Sequence, residues 1–182
     1  VGSTHQWGAL RDRVSVLGIF YFMLLITVHY FLASDFLMAM IPGWVDSLYP
    51  ATQAHNAIQG GVAILTISIF IMWKWGGYKN FIGLDQLWGL GKLLFGISLL
   101  WFWFFISSLM VLWYGKKPNE RDVLQILMFG NYLPIFVSTF FFVCIVPFFC
   151  LTLDKIRKSF YGPPIIALSV LIGNFLDRLR HY

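Results

Sequence analysis

The feature that most constrains the fold is a run without any charged residue from Leu93 to Tyr114. As an α-helix this run would rise about 33 Å, at about 1.5 Å per residue, and the hydrocarbon core of a bilayer is roughly 30 Å thick. Lys92 precedes the run, aromatic residues stand near both of its ends, and serines such as Ser98 lie inside it. A helix that faces only lipid needs no serines, so we expect a membrane span that contacts other protein.

The composition extends this prediction to the whole chain. Hydrophobic residues make up 59% and charged residues 12% of the sequence, whereas a soluble domain has about 25% charged residues. We therefore predict an all-α membrane protein with a single membrane domain, residues 1–182. The net charge of +5 belongs to short loops and is not a nucleic-acid signal. Cys144 and Cys150 lack metal-binding spacing, so neither a disulfide nor a zinc site is expected.

Apolar stretches of bilayer length predict five transmembrane helices that form a bundle. Their approximate ranges are 14–36, 55–75, 88–113, 129–153 and 164–179. Pro134 and Pro147 lie inside the fourth range and predict kinks or local unwinding. Such breaks are tolerated in membranes where neighbouring groups bond to the freed carbonyls.

The loop charges predict the orientation of the chain. Arg11 and Arg13 flank the first span, and the connection after it has no lysine or arginine. A cytoplasmic N-terminus places most of the 13 Lys and Arg residues inside, as the positive-inside rule favours. Because the chain begins at Val1 and its last span ends at the last residue, we expect a piece of a longer protein.

Polar residues at membrane depth are the candidate proton path, because such residues are costly and often functional. Asn174, Asp177, Arg178 and His181 follow one another at i, i+3, i+4 and i+7 and therefore line one helix face. They could relay protons or bind a quinone oxygen. Alternatively, the helix end emerges among the headgroups and Arg178 snorkels.

Further candidates lie at the other predicted spans. His29 could accept a proton from a quinol hydroxyl or bond to a backbone carbonyl of a neighbouring helix. Asp35 begins the outer loop, where it is a proton-path candidate or a solvated end residue. His55 and Trp44 are candidates for a quinone-facing surface, although His55, at the start of the second span, could simply face water.

The third span contributes its own candidates. Lys92 and Asp85 share a helix face if the helix begins early. Lys92 is then either an anchor among the inner headgroups or the inner mouth of a polar path that continues through Ser98. No residue is assigned a catalytic role.

Haem and iron–sulfur clusters are not expected within this chain. A bis-histidine haem site needs two facing histidines at matching depth, and only His29 is placed deep in a span. Cluster-binding cysteines and phosphate-binding loops are absent from the sequence. No metal or redox cofactor is therefore predicted here.

Several segments resemble one family of membrane subunits. The resemblance lies in residues 33–44, in Leu-Gly-Lys-Leu-Leu-Phe at 90–95, in Trp-Tyr-Gly at 113–115 and in Phe-Leu-Asp-Arg at 175–178. Together and in this order they resemble the polysulfide-reductase-like (NrfD-like) subunits of alternative complex III, most closely the second, quinone-binding one. The family's Asp-Pro-His-Trp is Ile-Pro-Gly-Trp at 41–44, so its acid and imidazole are missing.

The resemblance implies a fold and a function. As a fold-level analogy, the five spans would be the later half of a subunit of roughly ten helices. The subunit would belong to a quinol:electron-acceptor oxidoreductase of the bacterial cytoplasmic membrane and supply a polar proton half-channel or a quinone-facing surface. Implied partners are a sister NrfD-like subunit, an iron–sulfur subunit and multihaem cytochromes c. Menaquinone or another quinone is the implied ligand, and the haem and iron–sulfur clusters belong to the partner subunits.

Two other functions remain open at the level of sequence. A secondary transporter would have broken helices at corresponding positions of two halves, and the span with Pro134 and Pro147 is one such helix. A structural scaffold would bind other subunits through small-residue faces such as Gly89, Gly91 and Gly96.

Overall fold

The structure is a computed structural model that describes residues 4–40, 46, 48–115, 125, 130 and 132–181. All regular elements in these ranges are helical. The α-helices are α1 (Thr4–Leu32), α2 (Tyr49–Lys74), α3 (Leu84–Gly115), α4 (Leu133–Phe140), α5 (Val146–Thr152), α6 (Asp154–Arg157) and α7 (Gly162–His181). Short π-helical segments at Ala33–Leu37 and Phe141–Ile145 continue α1 and α4, and 3₁₀ turns form at Met38–Met40 and Tyr78–Asn80.

Four helical stretches in the described ranges are long and apolar enough to cross a membrane. They are Gly8–Met40, Tyr49–Lys74, Leu84–Gly115 and Leu133–Thr152, which indicates a multi-pass membrane protein. The predicted fifth span forms helix α7 but is not among these four. Its last two turns carry Asp177, Arg178 and Arg180, and these charges lower the mean hydropathy of a helix of only 20 residues.

The helices of four predicted spans, α1, α2, α3 and α7, begin earlier in the chain than the hydropathy pattern predicts. Helix α2 begins at Tyr49 because Pro50 occupies its first turn, where a missing N–H costs nothing and a fixed φ favours the helix. His55 is consequently inside the helix and buried, with only 5% of its surface exposed. Its predicted position at a water-facing boundary is wrong.

The fourth span is broken in the way that Pro147 predicts. Between Phe141 and Ile145 the helix widens to π geometry, and the Val146 N–H bonds to the Phe141 carbonyl five residues earlier. In this register the Phe142 carbonyl would pair with residue 147, and proline has no N–H to donate. The Ser169 hydroxyl of α7 donates to the Phe142 carbonyl at 3.2 Å instead. Pro134 causes no break, because it lies in the first turn of α4.

Removing the Ser169 hydroxyl should therefore destabilise the bundle. Ser169→Ala is expected to lower the free energy of unfolding by about 0.5–1.5 kcal/mol, the usual value of one hydrogen bond. In a Pro147→Ala background the restored N–H can pair with the Phe142 carbonyl, so the same change should cost less. Reversible unfolding in mixed micelles measures both costs, and equal costs in the two backgrounds would show that Ser169 does not compensate for the proline.

Helix α2 is the central element of the bundle. It packs against α1, α3 and α7, and α7 packs in turn against α4, α5 and the π segment between them. An apolar core lies where α2, α3, α5 and α7 meet, and it consists of Ala63, Leu94, Leu151, Ile166, Ala167 and Val170. Helix α1 lies at the edge of the bundle, because only 6% of the residues in its most apolar stretch are buried.

Glycines allow close helix contacts at two places. A Cβ at Gly173 would lie 2.5 Å from Val143 Cγ2, so α7 packs directly against the π segment. A Cβ at Gly91 would lie 3.3 Å from Pro163 Cγ. Gly89 and Gly96 have open space beside them. Of the three glycines named for a scaffold, only Gly91 packs within the described chain.

The connection between α5 and α7 carries an exposed ion-pair group. Asp154 pairs with Arg157 and, at 3.5 Å, with Lys158. The positive charges of Lys158 and Arg157 lower the pKa of the Asp154 carboxyl. The charged Asp154 carboxylate therefore contributes to the free energy of unfolding above the usual pKa of an aspartate. This contribution is lost only as the pH falls through the lower pKa of the folded protein. Asp154 is consequently charged at neutral pH and can pair with both cations of α6 and its C-terminal flank.

Candidate functional site

Polar side chains gather on the buried face of α2. The Asn56 Nδ2 donates to Asp177 Oδ2 of α7 at 3.0 Å. One turn along α2, the Gln59 Nε2 donates to the Ser98 hydroxyl of α3 at 3.1 Å. The Ser98 hydroxyl donates onward to the Leu94 carbonyl at 2.9 Å. These two pairs tie three helices together through buried hydrogen bonds.

Asn174 completes this group but makes no side-chain hydrogen bond to another described residue. It is 7% exposed, and neither its amide nitrogen nor its amide oxygen has a partner among the described residues. A Cβ at Gly60 of α2 would lie 3.8 Å from Asn174 Nδ2, so the amide lies against α2. We call Asn56, Gln59, Ser98, Asn174 and Asp177 the inner polar cluster.

The inner polar cluster has unused hydrogen-bonding capacity. The Asn56 and Gln59 side-chain oxygens also lack partners among the described residues, as does the Thr139 hydroxyl of α4. Each buried polar atom that stays unpaired costs about 1–3 kcal/mol. A fold that needed only packing would place apolar residues here, so the cluster suits ordered water or a polar ligand.

A pocket lies at one end of the bundle, beside the inner polar cluster. Its cavity of about 200 Å³ is lined by His29, Leu32, Ala33, Leu37, Tyr49, Gln53 and Arg178, and we call it the end pocket. It lies between the C-terminal end of α1, the N-terminal end of α2 and the C-terminal end of α7. Gln53 precedes Asn56 by one helical turn and Arg178 follows Asp177, so the end pocket and the cluster are formed by neighbouring turns of α2 and α7.

Histidine 29 has a defined orientation in the end pocket. Its Nδ1 lies 2.9 Å from the Leu25 carbonyl, and because a carbonyl only accepts, Nδ1 must carry the proton. In the neutral ring the Nε2 is then an acceptor. The carbonyl belongs to the preceding turn of α1, so the predicted bond to a carbonyl of a neighbouring helix is wrong.

The polar region occupies only part of the bundle. From Gln53 to Gln59 it extends about 9 Å along α2 at about 1.5 Å per residue. Beyond Gln59 the same face of α2 continues with Ala63, which lies in the apolar core. The buried Thr66 hydroxyl is the next polar group, and it donates to its own helix at the Val62 carbonyl. Apolar packing therefore ends the polar region beyond Gln59, and the end pocket lies at its other end, beside Gln53.

The structure brings together only some of the predicted site residues. Asp177, Asn174 and Ser98 join the inner polar cluster, and His29 and the exposed Arg178 both line the end pocket. Those that lie apart on exposed surface are Asp35, Asp85 and Lys92. Trp44 and the side chain of His181 lie outside the described residues.

Lys92 is separate from Ser98. Its Nζ lies 3.3 Å from the ring centroid of Trp88, a cation–π contact on the exposed face of α3. Between the two positions α3 presents Leu94, which is fully buried in the apolar core. The Ser98 hydroxyl instead connects to Gln59.

His55 is the remaining candidate. Its ring lies 5.6 Å from the ring of Phe104 on α3, and its Nε2 has no hydrogen-bond partner among the described residues. It therefore faces the inside of the bundle and neither water nor the bilayer.

Sequence reasoning missed the polar residues of α2 other than His55. Gln53, Asn56 and Gln59 follow one another at i, i+3 and i+6, and neutral amides at helical spacing inside an apolar span were the available signal. These three side chains are neutral, so a search for ionisable residues at membrane depth does not find them.

No protein-family model matches the chain, and no curated protein is detectably similar to it. Within the described residues, no three His, Cys, Asp or Glu side chains come together as a metal site would require. The site is therefore defined by its geometry, which consists of a buried carboxylate among amides and a pocket with an imidazole and a guanidinium.

Proposed function

We propose that the chain is a non-haem membrane subunit of a quinol:electron-acceptor oxidoreductase of the alternative complex III type. The order of the four sequence segments that resemble this family supports the proposal. A bundle of apolar helices with polar groups inside it is the architecture that such a subunit needs. Helix α7 acts in this proposal as the fifth span, within the later half of a larger bundle.

The observation that carries the proposed role is the abrupt end of the inner polar cluster at the apolar core. A proton path that crossed the whole bundle would be a leak, whereas a path that stops half-way can exchange protons with one side only. Asp177 is the ionisable member of the cluster and hence the group that would take up and release the proton. The unpaired amide atoms of Asn174, Asn56 and Gln59 would order water along the path. We therefore propose a proton half-channel.

The half-channel opens at the end of the bundle that holds the N-terminus of α2. With the cytoplasmic N-terminus that the loop charges favour, this end faces the outside of the bacterial cytoplasmic membrane. In the proposed complex, a sister NrfD-like subunit and an iron–sulfur subunit take electrons from menaquinol or another quinol. Multihaem cytochromes c pass these electrons on, and the haem and iron–sulfur clusters belong to those partners.

Asp177→Asn in the purified native assembly tests the proposed path. Asparagine keeps the shape and can still accept the Asn56 hydrogen bond, but it cannot exchange a proton. Quinol:acceptor turnover is expected to fall about tenfold to a hundredfold, within the range that one positioned proton-transfer group contributes. Lys92→Gln is the control, because Lys92 is charged but lies outside the cluster, and it should leave turnover unchanged.

Two results would contradict the proposal at different levels. Wild-type turnover in Asp177→Asn would remove the half-channel while leaving the subunit assignment standing. A native assembly without an iron–sulfur or cytochrome subunit would remove the assignment itself.

A secondary transporter is the second candidate, and the two π-helical segments favour it. One ends the first span at Ala33–Leu37 and the other interrupts the fourth span at Phe141–Ile145. Transporters use interrupted helices at corresponding positions of two halves. Substrate uptake by vesicles that contain only the reconstituted chain would favour this function over the oxidoreductase.

A further inference from the structure

The end pocket has the chemistry of a site for an anion. Arg178 supplies a guanidinium, and no carboxylate pairs with it among the described residues. The neighbouring Asp177 is turned into the inner polar cluster, where Asn56 donates to it, and Asp35 is exposed on the π segment of α1. The Gln53 amide adds a second donor group from α2. A guanidinium with an amide beside it is suited to the oxygens of a phosphate.

His29 adds an imidazole acceptor to the end pocket. Because Nδ1–H of His29 is committed to the Leu25 carbonyl at 2.9 Å, the neutral ring offers Nε2 to a ligand donor. The preferred ligand therefore carries a hydroxyl or an N–H near its negative charge.

The walls of the end pocket indicate that the ligand is amphipathic. Leu32, Ala33 and Leu37 form its apolar side. This side continues into the outer surface of α1, where Phe31 is 59% and Phe36 is 67% exposed. A soluble anion would gain nothing from such a surface, but acyl chains would cover it. The site also lies at a bundle end, where the headgroup layer of a membrane is expected.

We propose that the end pocket binds the headgroup of a phospholipid, with the phosphodiester on Arg178 and Gln53 and a headgroup hydroxyl donating to His29 Nε2. A cavity of about 200 Å³ is smaller than the roughly 300–1,000 Å³ of pockets for whole small molecules, so it holds a headgroup while the acyl chains stay outside. Phosphatidylglycerol meets both requirements. Phosphatidylcholine has the phosphate but lacks the hydroxyl donor. This inference does not depend on the proposed oxidoreductase function.

Native mass spectrometry of the full chain in detergent tests the proposal, with each lipid titrated separately. The wild type is expected to retain phosphatidylglycerol more strongly than phosphatidylcholine. Arg178→Gln should weaken the retention of phosphatidylglycerol about tenfold, as the loss of a charge-assisted hydrogen bond predicts. Arg11→Gln is the matched control, because it removes the same charge from the exposed opposite end of α1 and should retain the lipid like the wild type.

His29→Phe tests the acceptor separately. It should remove the preference for phosphatidylglycerol over phosphatidylcholine while both lipids still bind through Arg178. Equal retention by Arg178→Gln and Arg11→Gln would overturn the proposal, as would an unchanged preference in His29→Phe. Displacement of the lipid by inorganic phosphate at comparable concentration would also overturn it, because the site would then take a soluble anion. Circular dichroism of each variant shows whether the helices are intact.

Discussion

Replacing Asn174 with leucine is expected to stabilise the protein while lowering quinol turnover. The amide is 7% exposed and both of its polar atoms lack partners among the described residues. Removing an unpaired buried amide should raise the free energy of unfolding by about 1–3 kcal/mol. In the proposed half-channel, the same change removes a polar step beside Asp177. Opposite changes in stability and activity are the mark of a residue retained for function.

Thr66→Val is the matched control for Asn174→Leu. Thr66 is also buried, on the face of α2 that carries Gln59, but it lies beyond the cluster. Among the described residues its hydroxyl donates to the Val62 carbonyl of its own helix. The control should leave turnover unchanged. Chemical unfolding in micelles and turnover of the native assembly provide the two measurements. A destabilised Asn174→Leu protein would mean that bound water or another partner already satisfies the amide.

Gly173→Leu is expected to separate α7 from the fourth span. Even a Cβ at this position would lie 2.5 Å from Val143 Cγ2 and 3.0 Å from Phe142 Cβ, so the larger side chain cannot fit without movement. Overpacking of this kind costs about 1–3 kcal/mol of unfolding free energy. The nearby hydrogen bond from Ser169 to the Phe142 carbonyl should weaken as well, because α7 must move outwards.

Gly96→Ala is the control for crowding. Gly96 is also inside a helix, but nothing lies within 4 Å of a Cβ built there. Alanine should be neutral or stabilise by up to about 1 kcal/mol, because it favours the helix more than glycine does. Mixed-micelle unfolding measures both variants. If the two glycine positions tolerate substitution equally well, the close contact between α7 and the π segment is not a feature of the folded protein.

Much of the fold could be predicted from the sequence because the bilayer limits the choices. A charge-free run of 22 residues, such as that from Leu93 to Tyr114, has the length of a membrane-spanning helix, which satisfies its own backbone hydrogen bonds. The helix ends were less predictable. Helices α1 and α3 have 29 and 32 residues and are therefore longer than the hydrocarbon core is thick. Hydropathy alone does not indicate where such helices end. The break before Pro147 was predictable from the missing N–H. The identity of its compensating partner, Ser169, depends on how α7 packs.

The candidate site could be predicted only in part. The stripe on α7 placed Asn174 and Asp177 correctly on one buried face, because helical periodicity is local information. The antiparallel packing of α2 and α7 brings Asn56 to Asp177. The position of α1 at the edge of the bundle places His29 in the same pocket as Arg178. No local pattern encodes these relationships, and for the same reason Lys92 and Ser98 looked connected along α3 although Leu94 separates them.

The π segment at Phe141–Ile145 has a consequence for how this span can change in evolution. Every fourth residue from Thr139 to Leu151 is buried, namely Thr139, Val143, Pro147 and Leu151. A regular α-helix turns about 100° per residue, so a spacing of four drifts about 40° with each step and would carry one end of this row out to lipid. The wider turn absorbs the drift. Deleting one residue there would rotate Thr139 away from the bundle even though no other side chain had changed. The π segment therefore keeps the two halves of the span in the rotation that buries this row. We expect insertions and deletions in it to be tolerated less well than substitutions of its side chains.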